Sequence, residues 1–157
     1  MTALPGAYAL ILHATDTRPI AIGRLGEMTV RPGYYVYVGS ALGPGGLGGR
    51  LRRHLSGAGK LHWHVDYLRQ VAEIVDIWHT VGAERHEHVW AHVIQHMAGA
   101  TIPMRGFGAS DCACAAHLFH FADVPSFASF RRDFVACTAG AQPIDTSRYP
   151  VYTSPQQ

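Results

Sequence analysis

Two β-prone, tyrosine-bearing segments open this chain, Gly6-Ala7-Tyr8-Ala9-Leu10-Ile11-Leu12 and Tyr35-Val36-Tyr37-Val38-Gly39-Ser40-Ala41, and a basic run, Arg50-Leu51-Arg52-Arg53-His54, follows them. Arg50 and His54 are four apart, so a helix places them on one face, with Arg53 beside Arg50 and Arg52 turned away. An arginine stays charged and grips phosphate through paired hydrogen bonds, which suits a pentavalent phosphorus transition state. A phenol that ordinarily titrates near 10 is a poor base at neutral pH unless nearby cations lower it, and Arg50 and His54 are placed to do so. The set therefore fits phosphodiester hydrolysis, with Tyr8 or Tyr37 activating water. Tyrosine is also common in strands, so core packing is the ordinary alternative for both. The functional reading requires Tyr8 and Tyr37 on one sheet face; Tyr35 and Tyr37 share a face, and Tyr34 points oppositely.

Metal-assisted hydrolysis further needs a carboxylate. Glu84 and Glu87 fall at the start of a helical stretch, where acidic residues also serve simply to stabilise a helix, and Asp66 follows the cluster His62-Trp63-His64. Cys112, Cys114 and His117 are near enough to share a metal with His62 or His64. One residue between the cysteines departs from the usual spacing of structural zinc sites, however. The spacing disfavours structural Zn²⁺: Ser110 and Asp111 cap a short helix, the cysteines pack, and His117 forms hydrogen bonds. Ser40, Arg52, Arg53, Lys60, Trp63 and His64 are the candidate nucleic-acid contacts, with Trp63 or Tyr67 able to stack on an unpaired base. A solvated basic face, and an amphipathic helix start with Trp63 in the core, are the ordinary alternatives.

The elements that must hold these groups follow from apolar pattern and turn residues. Strands are expected at 8–13, 19–25, 34–38 and 74–81, with a short one at 118–121. Helices are expected at 50–55, 64–72, 84–98 and 126–136, the third carrying the stripe Val89, Val93, Ile94 and Met97. Residues 42–49 hold five glycines and a proline and read as too flexible for regular structure. The pattern predicts an α+β or α/β fold with a small, largely antiparallel three-stranded sheet flanked by helices, as one domain over 1–137 with an irregular tail over 138–157.

Composition agrees with a folded domain: of 157 residues 48% are apolar and 15% charged, enough to bury one core. A net charge of +2 neither demands nor excludes nucleic acid. Three cysteines do not make a disulfide framework, no run is apolar enough to cross a bilayer, and no signal-peptide pattern is present, so a cytoplasmic location without membrane association is expected.

The triplets Gly6-Ala7-Tyr8 and Tyr37-Val38-Gly39, in order with Arg50 and His54, resemble the signature of the GIY-YIG endonucleases. Three longer segments resemble the Uri-type branch of that superfamily: Gly39 through His54, His62 through Leu68, and Phe107 through Phe119. The resemblance implies a DNA endonuclease with Tyr8, Tyr37, Arg50, His54 and Glu87 as catalytic residues. It also implies Glu87 as the ligand of one Mg²⁺ or Mn²⁺ ion, and a role in DNA repair or processing alongside a repair-protein partner. Ala7 stands where isoleucine is usual, and the 28 residues between Tyr8 and Tyr37 exceed the usual interval. His88 replaces the cysteine that often follows the glutamate, so a thiol there is not essential. Two other classes compete: a non-catalytic nucleic-acid-binding module assisting a repair enzyme, and a histidine-rich metal-binding domain, the chain having eleven histidines.

Overall fold

The structure, a computed structural model, describes residues 2–57, 59–82, 84–109, 112–138 and 146–151. Its elements in chain order are β1 (Gly6–Ala14), β2 (Arg18–Ile22), β3 (Gly26–Val30), β4 (Gly33–Ala41), α1 (Gly46–Ser56), α2 (His64–Leu68), β5 (Glu73–Val81), α3 (Glu87–Gln95), β6 (Leu118–Phe121), α4 (Phe127–Cys137) and β7 (Thr146–Pro150). Strand β1 reads as a nearly continuous apolar run because both of its faces are covered, the condition under which alternation disappears. It pairs antiparallel with β4 on one side and β5 on the other, with Tyr8 opposite Gly39 and Leu10 opposite Tyr37. On one face Tyr8, Leu10, Leu12, Tyr35 and Tyr37 pack with Leu47 and Leu51 of α1 and Val65 and Leu68 of α2. On the other, Ala9, Ile11, Val36 and Val38 pack with Trp90 and Ile94 of α3 and Phe130 and Phe134 of α4. Tyr34 packs towards that second layer and stacks on His13, so the expected division of the three tyrosines holds.

The expected three-stranded sheet is corrected to five strands, ordered β6-β4-β1-β5-β7, with β2 and β3 forming a separate two-stranded sheet; the fold is α+β. Edge strand β6 is only four residues long, too short for its pattern to define a partner. Edge strand β7 lies in the stretch read as an irregular tail, and its sequence, Thr-Ser-Arg-Tyr-Pro, offers no apolar alternation. What holds it is polar: Arg148 donates to buried Asp76, which also accepts from the Ile77 amide and the Trp78 indole. A charge buried in this way is retained when paired and hydrogen-bonded. The β2–β3 hairpin occupies the long interval between the two tyrosines, and Ile22, Met28 and Val30 bury into the first core layer.

Helix α1 begins at Gly46, inside the glycine-rich stretch expected to be irregular. Its first amides are satisfied from outside: Leu47 N–H donates to the Leu4 carbonyl at 2.9 Å and Gly48 N–H to Thr2 at 2.6 Å. Gly46 sits at φ +57°, and a Cβ there would lie 2.1 Å from the Ala3 carbonyl oxygen, so only glycine permits this close approach. The glycines thus dock the helix against the lead-in to β1 and thereby set where Arg50 and His54 fall.

Gly39 is demanded by the tyrosine opposite it. A Cβ at this position would lie 2.5 Å from the Tyr8 hydroxyl oxygen. Gly39→Ala is expected to cost about 1–3 kcal/mol by overpacking and to displace the Tyr8 ring; thermal unfolding together with the Tyr8 ring resonances would check this, and an unshifted ring environment at unchanged stability would count against it.

Candidate active site

Tyr8 and Tyr37 lie on one sheet face at the end of the central strand pair where β1 begins and β4 finishes. Helix α1 crosses this end and buries His54 to 1% exposure. The His54 Nε2 and the Tyr8 hydroxyl are hydrogen-bonded at 2.8 Å, with the donor set by the imidazole tautomer. Arg50, one turn earlier, donates from Nη1 to the Ser40 carbonyl at 3.2 Å. A cleft of about 330 Å³ opens here, lined by Tyr8, Tyr37, Arg50, Trp63, Arg85 and Glu87 among others. Four of the five residues expected to be catalytic line it, and His54 supports it from behind through Tyr8.

The expected electrostatics of the tyrosines are reversed. Burial pushes the Tyr8 phenol up to about 12, against the pull of Arg50, and burial likewise holds Tyr37 well above the ordinary range. Burial also lowers His54 to about 4, with Asp66 opposing. His54 is therefore neutral near pH 7 and supplies no positive field. Desolvation disfavours whichever form is charged, and here it outweighs a single arginine. Neither tyrosine is a ready-made phenolate; the pair is instead a neutral phenol joined to a neutral imidazole.

The expected nucleic-acid contacts divide. Trp63 lines the cleft, but Arg50 and Arg53 lie over its ring, their guanidinium carbons 4.4 and 3.9 Å from its centre. Such stacking is favourable and occupies the ring surface assigned to a base. Arg53 also pairs with Asp66 at 3.8 Å and donates to the Lys60 carbonyl at 3.1 Å. Asp66 caps the start of α2, accepting from the His62 and Trp63 amides at 2.8 and 2.9 Å. His64 is turned inward, its Nδ1 accepting from the Gly108 amide at 2.8 Å. Ser40 lines the cleft, while Arg52 and the Lys60 chain lie exposed outside it.

A second group of side chains borders the same cleft. His88, Cys112, Cys114 and His117 bring four donor atoms within 4.8 Å of one another, a group that can hold a metal ion. Nitrogen and sulfur donors suit zinc, whereas magnesium takes oxygen. The objection from cysteine spacing falls because His88 arrives from α3, an element far away in sequence. Neither His62 nor His64 belongs to the group. The capping assigned to Ser110 and Asp111 lies outside the described residues. The density of Cys and His over 112–117 was the available signal, and His88 beside Glu87 was its missing partner. Arg85, which also lines the cleft, carried no sequence signal.

The chain belongs to a family described as a domain of unknown function, DUF123, whose model matches residues 7–138. Comparison with curated proteins and with solved structures found no match. The matched span contains every residue of the cleft. No described helix is long and apolar enough to cross a membrane.

The buried His54 gives the fold a pH dependence whose sign is fixed. An unfolded imidazole titrates near 6.5, and folded His54 near 4, so between these values the unfolded chain binds more protons. Its contribution is complete above pH 6.5 and disappears as pH falls towards 4, a loss on the order of 3 kcal/mol. Urea unfolding between pH 7 and 4.5 is expected to show this decline, and His54→Gln to flatten it; an unaltered slope in the variant would show that His54 is not the group responsible.

Proposed function

We propose that this protein is a metal-dependent endonuclease that hydrolyses phosphodiester bonds in DNA. The observation that carries the reading is the buried Tyr8–His54 hydrogen bond in one cleft with Arg50 and Glu87. A phenol bonded to a neutral imidazole can take a proton from water at its oxygen while passing its own to Nε2. The phosphodiester's negative charge, arriving in the cleft, offsets the burial that holds His54 neutral. Arg50 stands at the mouth of the same cleft, and its guanidinium stabilises the charge that builds on the phosphoryl oxygens as water attacks and the leaving oxygen departs. Tyr37 lies beside the pair, its ring 6.4 Å from His54, and holds the relay in place by packing.

Glu87 fits a hard cation. Its carboxylate is half-buried on the cleft wall, and among the described residues its ion pair is a long one, 3.8 Å from His88 Nε2. One carboxylate with retained waters is a sufficient Mg²⁺ or Mn²⁺ site. Such an ion, when bound, supplies Lewis-acid neutralisation of the phosphate and of the leaving oxygen. Arg85 and Arg50 flank the cleft and serve to draw in a polyanion; DNA processing or repair is the setting this chemistry suits.

Labelled single-stranded, duplex and branched DNA, incubated with Mg²⁺, Mn²⁺ or EDTA and resolved on gels, tests the reading. Metal-dependent cutting is expected from the wild type, none from Glu87→Gln, and a loss of roughly 10²–10³-fold from Arg50→Ala. Full activity in Glu87→Gln would refute its assignment as metal ligand. Salt-sensitive DNA binding without any cleavage would refute the enzyme and identify a non-catalytic module that assists a repair enzyme.

A further inference from the structure

We infer that His88, Cys112, Cys114 and His117 form a closed structural zinc site that pins the segment over 112–117 to the start of α3. The inference does not depend on the nucleolytic reading, since it concerns how the wall of the cleft is held whatever the cleft does.

The geometry is that of a tetrahedral site before contraction. Cys112 Sγ lies 3.3 Å from His117 Nε2, and Cys114 Sγ lies 3.3 Å from His88 Nδ1. With Zn–S near 2.3 Å and Zn–N near 2.0–2.1 Å, a tetrahedral site has a sulfur–nitrogen edge of about 3.6 Å. Both observed pairs fall close to that edge, and all four donors lie within 4.8 Å of one another. The arrangement is thus two Cys–His pairs brought together, with a thiol and an imidazole in each.

The surroundings also match a metal centre. His117 is buried to 4% exposure, with its Nε2 facing Cys112. Its backbone is fixed as well, the His117 carbonyl accepting from the Val38 amide at 2.9 Å. For His88, Nδ1 faces Cys114 at 3.3 Å, while its Nε2 lies 3.8 Å from the Glu87 carboxylate, too far for a hydrogen bond, so the ring does not hold that carboxylate. With four protein ligands no position stays open for water, so the site is structural rather than catalytic.

The segment explains why a fastening is useful. Few apolar side chains hold it: Ala116 buries, as do Phe107 and Ala109 ahead of the segment, but Cys112, Ala113, Cys114 and Ala115 are partly or fully exposed. Zinc would join it to α3 two residues before the buried Trp90, and so fix the helix end that carries Glu87. Cys137, exposed on α4, lies outside the group and serves as an internal control.

The test is metal analysis of the full chain, purified without chelators and with zinc in the medium, alongside cobalt(II) substitution. One zinc per chain is expected, and the cobalt form should show the intense visible bands of a tetrahedral site with thiolate charge transfer. Cys112→Ser/Cys114→Ser should lose the metal, Cys137→Ser should keep it, and His88→Ala should alter the cobalt spectrum. Glu87→Gln should stay zinc-loaded even where cleavage fails, which separates this site from the one proposed for magnesium. Substoichiometric zinc in folded wild type, or a cobalt spectrum without thiolate bands, would overturn the inference even if the cysteine variants fail to fold. An unchanged cobalt spectrum in His88→Ala would overturn the four-ligand site.

Discussion

The hydrogen bond between Tyr8 and His54 is made between two buried side chains at the base of the cleft, and most of the architecture around the cleft can be understood as the means of making it there. The phenol comes from the start of the central strand and the imidazole from the far end of a helix 46 residues later. To meet, the helix must lie close against the strand pair, which the glycines at its start allow and the carbonyls of Thr2 and Leu4 secure. The strand opposite must leave room for the hydroxyl, which Gly39 does by having no side chain. The result is a polar pair whose members are both kept neutral by their surroundings; the Tyr8 hydroxyl and His54 Nε2 satisfy each other, while His54 Nδ1 is buried with no hydrogen-bond partner among the described residues.

Around this pair two kinds of donor chemistry meet on adjacent residues. Glu87 offers oxygen to the cleft, and His88 offers nitrogen to a group of sulfur and nitrogen donors that borders the same cleft. Hard and soft sites placed side by side do not compete strongly, because each donor set discriminates against the other's ion. The first turn of α3 therefore belongs to two environments at once, one facing solvent and one facing the loop.

Much of this could be read from the amino-acid order, and the failures have physical causes. The shared faces of Tyr35 with Tyr37 and of Arg50 with His54 were recoverable because strand alternation and helical spacing decide which side chains lie together, whereas Tyr8 and Glu87 were picked out by the family resemblance. The inverted pKa directions were not, because burial is a property of the whole packed core and no local window carries it. Strand β7 escaped because its stabilisation rests on Arg148 reaching Asp76, 72 residues away, instead of on an apolar pattern. The helix start at Gly46 escaped because its capping groups precede β1. His88 was overlooked as a donor for the same reason: sequence spacing measures ligand sets along the chain, whereas a metal measures them in space.

The interval between the two tyrosines holds a whole hairpin, yet it bears little on their meeting. Strands β1 and β4 are joined through the β2–β3 hairpin at their Ala14–Gly33 end, six register positions from the pairing of Tyr8 with Gly39. At the rise of an extended strand that is roughly 20 Å. The antiparallel ladder between them acts as a rigid ruler, so material added or removed at one end leaves the spacing of groups at the other untouched. The hairpin is in this sense a tolerant joint. Its length can drift, subject to the core contacts of Ile22, Met28 and Val30, without any cost to the alignment of the two rings.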